Sequence, residues 1–289
     1  MIYAAFIEPF VEFSFMRRAL VGCIVMAVSA APIGTFLVLR RMSLTGDAMA
    51  HAILPGAAIG FLVAGLSIGA MTIGGLVAGL SVALLSGAVS RSTALREDAS
   101  LGAFYLISLA LGVLIVSLRG SNVDLLHVLF GTVLALDDAA LVLMSTIGTL
   151  TLLTFALLYR PLILECLDPE FLRSVSRTSP VAHYSVLFLV VLNLVGGFQA
   201  LGTLMAVGIM LLPAAAAQFW SRDITQMIAL AALIGILSSA TGLLASFHFG
   251  APSGPSIILA AGGAYVLSVV FGRKGSLLTR YRPSAHLEA

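Results

Sequence analysis

The chain has 289 residues, of which 60% are hydrophobic and only 10% charged, and its mean hydropathy is +1.11. A soluble domain carries about 25% charged residues, so a water-soluble enzyme of this composition could not cover its own surface. The formal net charge of +2, with Lys274 as the sole lysine and no basic face, gives no footing for a nucleic-acid partner.

Apolar runs of about 18 residues or more read as membrane helices. They fall at roughly 19–39, 43–66, 68–90, 101–118, 139–159, 184–199, 200–220, 226–246 and 254–272, with boundaries good to about 2–4 residues. The expected fold is an all-α integral membrane protein, a polytopic bundle of about eight to nine transmembrane helices, some kinked or broken. The pair 184–220 is interrupted by Gly196, Gly197 and Gly202 and reads as two short spans or as one span plus a broken helix. Nine spans put Arg40, Arg41, Arg91, Arg96, Arg160, Arg173, Arg177, Arg222, Arg273, Lys274, Arg280 and Arg282 on one side, and Arg17, Arg18 and Arg119 on the other. The positive-inside rule makes the first side cytoplasmic.

Residues 1–289 are expected to form a single transmembrane domain, with an N-terminal segment over 1–18 and a tail over 273–289. The start of the chain carries Glu8 and Glu12 without a basic region, so no cleavable signal peptide is expected. The stretch 122–137, with Asp124, His127 and Asp137, is too short to span and reads as a re-entrant or interfacial helix. Residues 160–183 form the longest and most charged cytoplasmic loop, with His183 in it and His286 in the tail, neither given a role. Gly56 with Gly60, and Gly75 with Gly79, are small-residue pairs suited to close helix packing. Cys23 lies in an apolar run and Cys166 in a polar loop, so no disulfide is expected.

The chemistry concentrates in Arg40-Arg41-Met42-Ser43-Leu44-Thr45-Gly46-Asp47-Ala48-Met49-Ala50-His51-Ala52-Ile53-Leu54-Pro55-Gly56. A helix starting at Met42 places His51 about 14 Å along it, near the middle of a hydrocarbon core about 30 Å thick. Asp47 and His51 are i and i+4 and share a face. A carboxylate at that depth costs a few kcal/mol or more, so it should face the protein interior, a partner or an ion. Carboxylate oxygen with imidazole nitrogen suits zinc or manganese. The competing reading is a helix cap at Asp47 and one interhelical bond at His51. Pro55 frees the His51 carbonyl and should bend the helix, and Pro32 and Pro213 are further bends. His127 and His248 are weaker candidates at the outer side. There is no G-x-x-x-x-G-K-[ST] loop and no H-E-x-x-H, so neither ATP hydrolysis nor metalloprotease activity is expected of this chain.

The run G-T-F-L-V-L-R-R-M-S-L-T-G-D-A-M-A-H-A-I-L-P-G-A-A-I-G from Gly34 to Gly60 resembles the signature of the zinc/manganese/iron ABC importer permeases, the ABC-3 family. So do D-L-L-H-V-L-F-G from Asp124, G-T-L-M-A-V-G-I-M-L-L-P-A-A-A-A from Gly202 and P-S-G-P-S-I-I-L from Pro252. The resemblance implies a permease in the bacterial cytoplasmic membrane that takes up Zn²⁺ or Mn²⁺, with ferrous iron as an alternative. It implies a separate ABC ATPase, an extracytoplasmic metal-binding protein and a second permease subunit, usually an identical copy. It assigns the family's D-x-x-x-H metal pair to Asp47 and His51. The stretch Asp168 to Val175 resembles the family's cytoplasmic segment that contacts the ATPase, which implicates Asp168, Glu170, Phe171 and Arg173; its residues read as a short helix with Asp168 as N-cap and Pro169 at the first position. Ser176 stands where family members often have Gly, so a different turn is expected there. An ion-coupled secondary carrier is the rival class, and it would need the acidic relay and internal repeats that the sequence lacks.

Overall fold

The computed structural model describes residues 6–65, 67–119, 133–176 and 178–281. A short helix α1 (Glu8–Glu12) leads into α2 (Ser14–Leu39), α3 (Leu44–Ala64), α4 (Ile68–Ser92) and α5 (Glu97–Arg119). Then come α6 (Asp138–Leu157), α7 (Tyr159–Leu167), α8 (Pro169–Val175), α9 (Ser179–Leu201) and α10 (Thr203–Ala217). The chain continues through α11 (Ile224–Phe249), α12 (Ser253–Phe271) and α13 (Leu277–Tyr281). Among the described residues eight of these helices are long and apolar enough to cross a membrane, and α10, at 15 residues, is a shorter ninth.

Helix starts follow local capping chemistry. Ser67, Asp137, Asp168 and Asp223 each accept a bond from the backbone N–H three residues on, opening α4, α6, α8 and α11. Pro169 and Pro180 sit in first turns, where a missing N–H costs nothing. Pro32, Pro55 and Pro213 lie inside continuous helices.

Contacts between helix ends fix the path. Arg18 of α2 pairs with Asp138 of α6 at 3.1 Å at one end. At the other end Arg40 pairs with Glu97 at 3.3 Å, Tyr159 Oη and Thr225 Oγ1 lie 2.7 Å apart, and the Lys274 amide donates to the Phe219 carbonyl. Basic residues gather at this second end, which is therefore cytoplasmic. Helix α2 starts outside and α12 ends inside, in keeping with nine passes.

The 184–220 region resolves as two helices reversed at Gly202, whose φ of 88° and ψ of 158° belong to a region open only to glycine. Gly196 and Gly197 do not interrupt anything. They lie inside α9, and Gly197 packs against Ala206 of α10. Helix α10 spans about 22 Å at 1.5 Å per residue, less than the core thickness.

Helices α2 and α9 form the centre, with 72% and 78% of their apolar windows buried, while α4, α5 and α12 turn most of their surface outward. Inside, Phe36 and Phe155 meet edge to face at 4.9 Å, and Asn193 Nδ2 donates to Thr151 Oγ1 at 2.7 Å. Lipid is as apolar as leucine, so helix association depends on close fit rather than on burial from water. Gly56 and Gly60 of α3 face the backbone of Gly74 and Ala70 on α4, and Gly75 and Gly79 receive the Ile53 side chain.

Candidate metal pathway and cytoplasmic contact helix

Asp47 stands in the first turn of α3, with His51 one turn further on, and His51 Nε2 lies 3.7 Å from Asp47 Oδ1. Helix α3 starts at Leu44 rather than Met42, which places His51 about 10 Å along it, nearer the cytoplasmic end than the sequence implied. Gly46 packs on Val207, Met210 and Leu211 of α10, and the Tyr105 ring of α5 stacks on the His51 imidazole at 6.4 Å. Helix α5 thus flanks His51, while α10 packs on the residue before Asp47.

It does not face the interior of the chain. The Asp47 side chain is 65% exposed and that of His51 34%. Leu44, 77% exposed, lies on the same open face near the start of α3. The cap alternative fails for Asp47, since the N-cap of α3 is Ser43. Among the described residues no three His, Cys, Asp or Glu side chains gather as a metal cluster, so within one chain the pair is two ligands of an incomplete set. Carboxylate oxygen and imidazole nitrogen at this separation are able to approach a common cation.

Pro55 removes one α3 backbone bond, and its ring fits against Gly112 of α5, where a β-carbon would come within 2.6 Å. Next to it Ser108 Oγ of α5 donates to the Ala52 carbonyl at 3.2 Å. A side chain of a neighbouring helix thus serves the backbone beside the gap, one of the usual ways membrane helices tolerate proline. Pro32 and Pro213 are both buried, and Pro213 lies against Gly235 of α11.

Within 160–183 the short helix expected after Asp168 is present as α8, and it is preceded by a further helix, α7, and followed by the start of α9, so the region is helical rather than an open loop. Buried Leu162 and Leu172 give them an inner face, a spacing too short for hydropathy to register. Asp168 Oδ1 accepts from the Phe171 amide at 2.9 Å and caps α8. With Leu172 as its anchor, α8 presents Phe171 at 51% exposure, with Glu170 and Arg173 exposed on either side of it. Ser176 is extended, at φ −142°, so nothing there requires glycine. Burial pushes the Cys166 thiol up, and Arg40 pulls it only partly back.

His183 was assigned no role from the sequence and belongs to α9, where it is buried between Glu97 and Glu165. Asp137 caps α6, whereas Asp124, His127, His286, Arg177 and Arg282 lie outside the described residues. His248 is near the outer end of α11, its ring against Phe247.

A bundle of apolar helices with its basic residues at one end, an acidic–imidazole pair inside the membrane zone and a capped helix exposed at the cytoplasmic end is a multi-pass transport permease. Residues 12–272 match the ABC 3 transport family, and the chain belongs to it. The manganese transport system membrane protein MntC of Halalkalibacterium halodurans is 34% identical over 96% of this chain and 94% of its own length. The chelated iron transport system membrane protein YfeD of Yersinia pestis is 30% identical over 94% and 90%. The solved structure of PsaBC from Streptococcus pneumoniae in complex with Fab superimposes with a TM-score of 0.83 at 30% identity, over 97% of this chain and 99% of that one. The protein is accordingly a membrane-embedded permease of an ABC transporter.

Proposed function

We propose that the chain is the permease through which an ATP-driven importer brings manganese into the bacterial cytoplasm, with Asp47 and His51 holding the ion in transit. The observation that carries this reading is the pair itself, oxygen and nitrogen 3.7 Å apart on an open helix face in the membrane zone. A passing dication offsets the cost of ionised Asp47 there. Two ligands per chain keep affinity low enough for release, and a second copy of the permease across the open face doubles the set to four. Manganese is favoured by the named substrate of MntC. Zinc is compatible with the same ligands, and iron is favoured as the second choice by YfeD.

Hydrolysis of ATP falls to a separate ATPase that seats on residues 168–175, with Phe171 as the apolar contact and Glu170 and Arg173 as its polar flank. An extracytoplasmic binding protein delivers the ion at the opposite end. The test is uptake in cells lacking their own manganese and zinc importers, supplied with this chain, its ATPase and its binding protein. Wild type should accumulate manganese, and Asp47→Ala and His51→Ala should each abolish uptake while still reaching the membrane. Normal uptake by both variants would remove the site assignment.

A further inference from the structure

Among the described residues seven buried side-chain atoms lack a hydrogen-bond partner. Five of them sit in one cluster: Arg91 Nη1, Glu97 Oε1, Glu165 Oε1 and both ring nitrogens of His183. The cluster joins five helices at the cytoplasmic end. Arg40, which closes α2, reaches Glu97 Oε2 of α5 at 3.3 Å. Ser179 of α9 donates to Glu165 Oε2 of α7 at 2.8 Å, and Arg91 of α4 lies 4.0 Å from the other oxygen of Glu165. His183 stands between the two acids, with Nε2 3.4 Å from Glu97 Oε1 and Nδ1 3.8 Å from Glu165 Oε1. A cleft of about 450 Å³ separates this cluster from Asp168, Glu170 and Arg173 of the contact segment.

In its neutral form an imidazole carries one N–H, so with both acids ionised His183 can donate to Glu97 or to Glu165 but not to both. Each unmet buried group costs about 1–3 kcal/mol, so a small shift that closes one contact and opens the other has two natural resting points. Glu165 lies three residues before Asp168, on the helix that leads directly into α8. Glu97 holds Arg40, and α3 begins four residues after Arg40. The elbow between them is tight: Arg41 has a positive φ of 58°, and the Met42 amide bonds back to the Leu37 carbonyl at 2.8 Å. One end of the cluster therefore moves with the contact helix and the other with the helix that carries Asp47 and His51. It is not a second metal site, because Arg40 and Arg91 already face its carboxylates.

We propose that Glu165, His183, Glu97 and Arg40 are positioning residues for transport, a relay in which the seating of α8 decides which acid His183 bonds and so sets the register of α3. The proposal rests on the transport reading above. Its test uses the complete transporter, permease with ATPase and binding protein, in proteoliposomes. Manganese uptake and ATP hydrolysis are measured together for wild type, Glu165→Gln, His183→Gln and the double variant. The readout is manganese moved per ATP hydrolysed, which a mere loss of folded protein does not change. Each single variant should lower it at least about fivefold, the low end of coupling between linked sites, and the double variant should fall no further than the singles. A ratio equal to wild type, or effects that multiply in the double variant, overturns the relay. Should Glu165→Gln fail to assemble, Ser179→Ala removes only the hydroxyl that Glu165 accepts from, and is read in the same way. A wild type that moves no manganese overturns the transport reading itself. A wild type that imports while the variants keep full coupling overturns the relay alone.

Discussion

Replacing Gly56 by alanine should part α3 from α4. A β-carbon at Gly56 would overlap the Gly74 carbonyl and lie 2.6 Å from the Ala78 β-carbon. Carbon contacts relax at about 3.5–4.0 Å, so the helices would have to separate by roughly 1 Å at this point. Both obstacles are backbone or β-carbon, and no rotamer change can relieve them. Overpacking of this kind costs about 1–3 kcal/mol. The strain cannot be absorbed one turn away, because Gly60 meets the Ala70 carbonyl in the same manner. Gly262 of α12 is the control, since a methyl there meets nothing within 4 Å. Gly262→Ala should be neutral or gain up to about 1 kcal/mol from helix propensity. The assay is the thermal midpoint of the detergent-solubilised permease, followed by loss of the monodisperse size-exclusion peak. Gly56→Ala should melt clearly below wild type and Gly262→Ala should not. Equal midpoints for wild type and Gly56→Ala would refute the argument that backbone contact holds α3 to α4.

Gly202→Ala should destabilise the permease by about 1–3 kcal/mol, because the turn from α9 to α10 uses a backbone region closed to side-chain-bearing residues; an unchanged thermal midpoint would contradict this. Cys166 should alkylate more slowly at neutral pH than a cysteine placed at exposed Val175, since burial raises its thiol and leaves less thiolate. Raising the pH should narrow that gap, and a gap independent of pH would show that access alone controls the rate. In a Cys166→Ser background, Leu44→Cys should be joined to a second copy by a short bis-maleimide in membranes, because Leu44 shares the open face of Asp47 and is 77% exposed. A band that stays monomeric would mean that lipid or another protein covers this face.

Much of the fold was legible because a membrane helix leaves a signal in length and apolarity alone. Eight spans, and the direction in which they run, follow from apolar runs and arginine placement. The break between α9 and α10 was harder, because three glycines lie close together and only Gly202 takes a positive φ, whereas Gly196 and Gly197 serve as contact surfaces. Helix α8 was legible from its Asp168 cap and Pro169 at the first position, whereas α7 was hidden because it is short and buries little, Leu162 and Glu165. That Asp47 and His51 share a helix face was legible from their spacing. The Glu165–His183–Glu97 cluster was not, because its members are far apart in sequence and each alone looks like a solvated residue at a helix end. Their burial follows from which helix ends meet, a tertiary fact.

The exposure of Asp47 bears on the whole reading. A carboxylate near the cytoplasmic end of a membrane helix can be tolerated in three ways: by reaching water, by an internal partner or by an external cover. His51 Nε2 lies 3.7 Å from the Asp47 carboxylate on the same open face. Leu44 lies on the same face and suits an apolar contact. An exposed acidic–imidazole pair is ill matched to uniform lipid, and the second copy proposed above would cover it. Two such faces bring two carboxylates together, which repel unless a cation lies between them. In the proposed pairing, the repulsion that disfavours the empty state is the same one a bound dication relieves, so Asp47 would tie closure of the pathway to the presence of cargo.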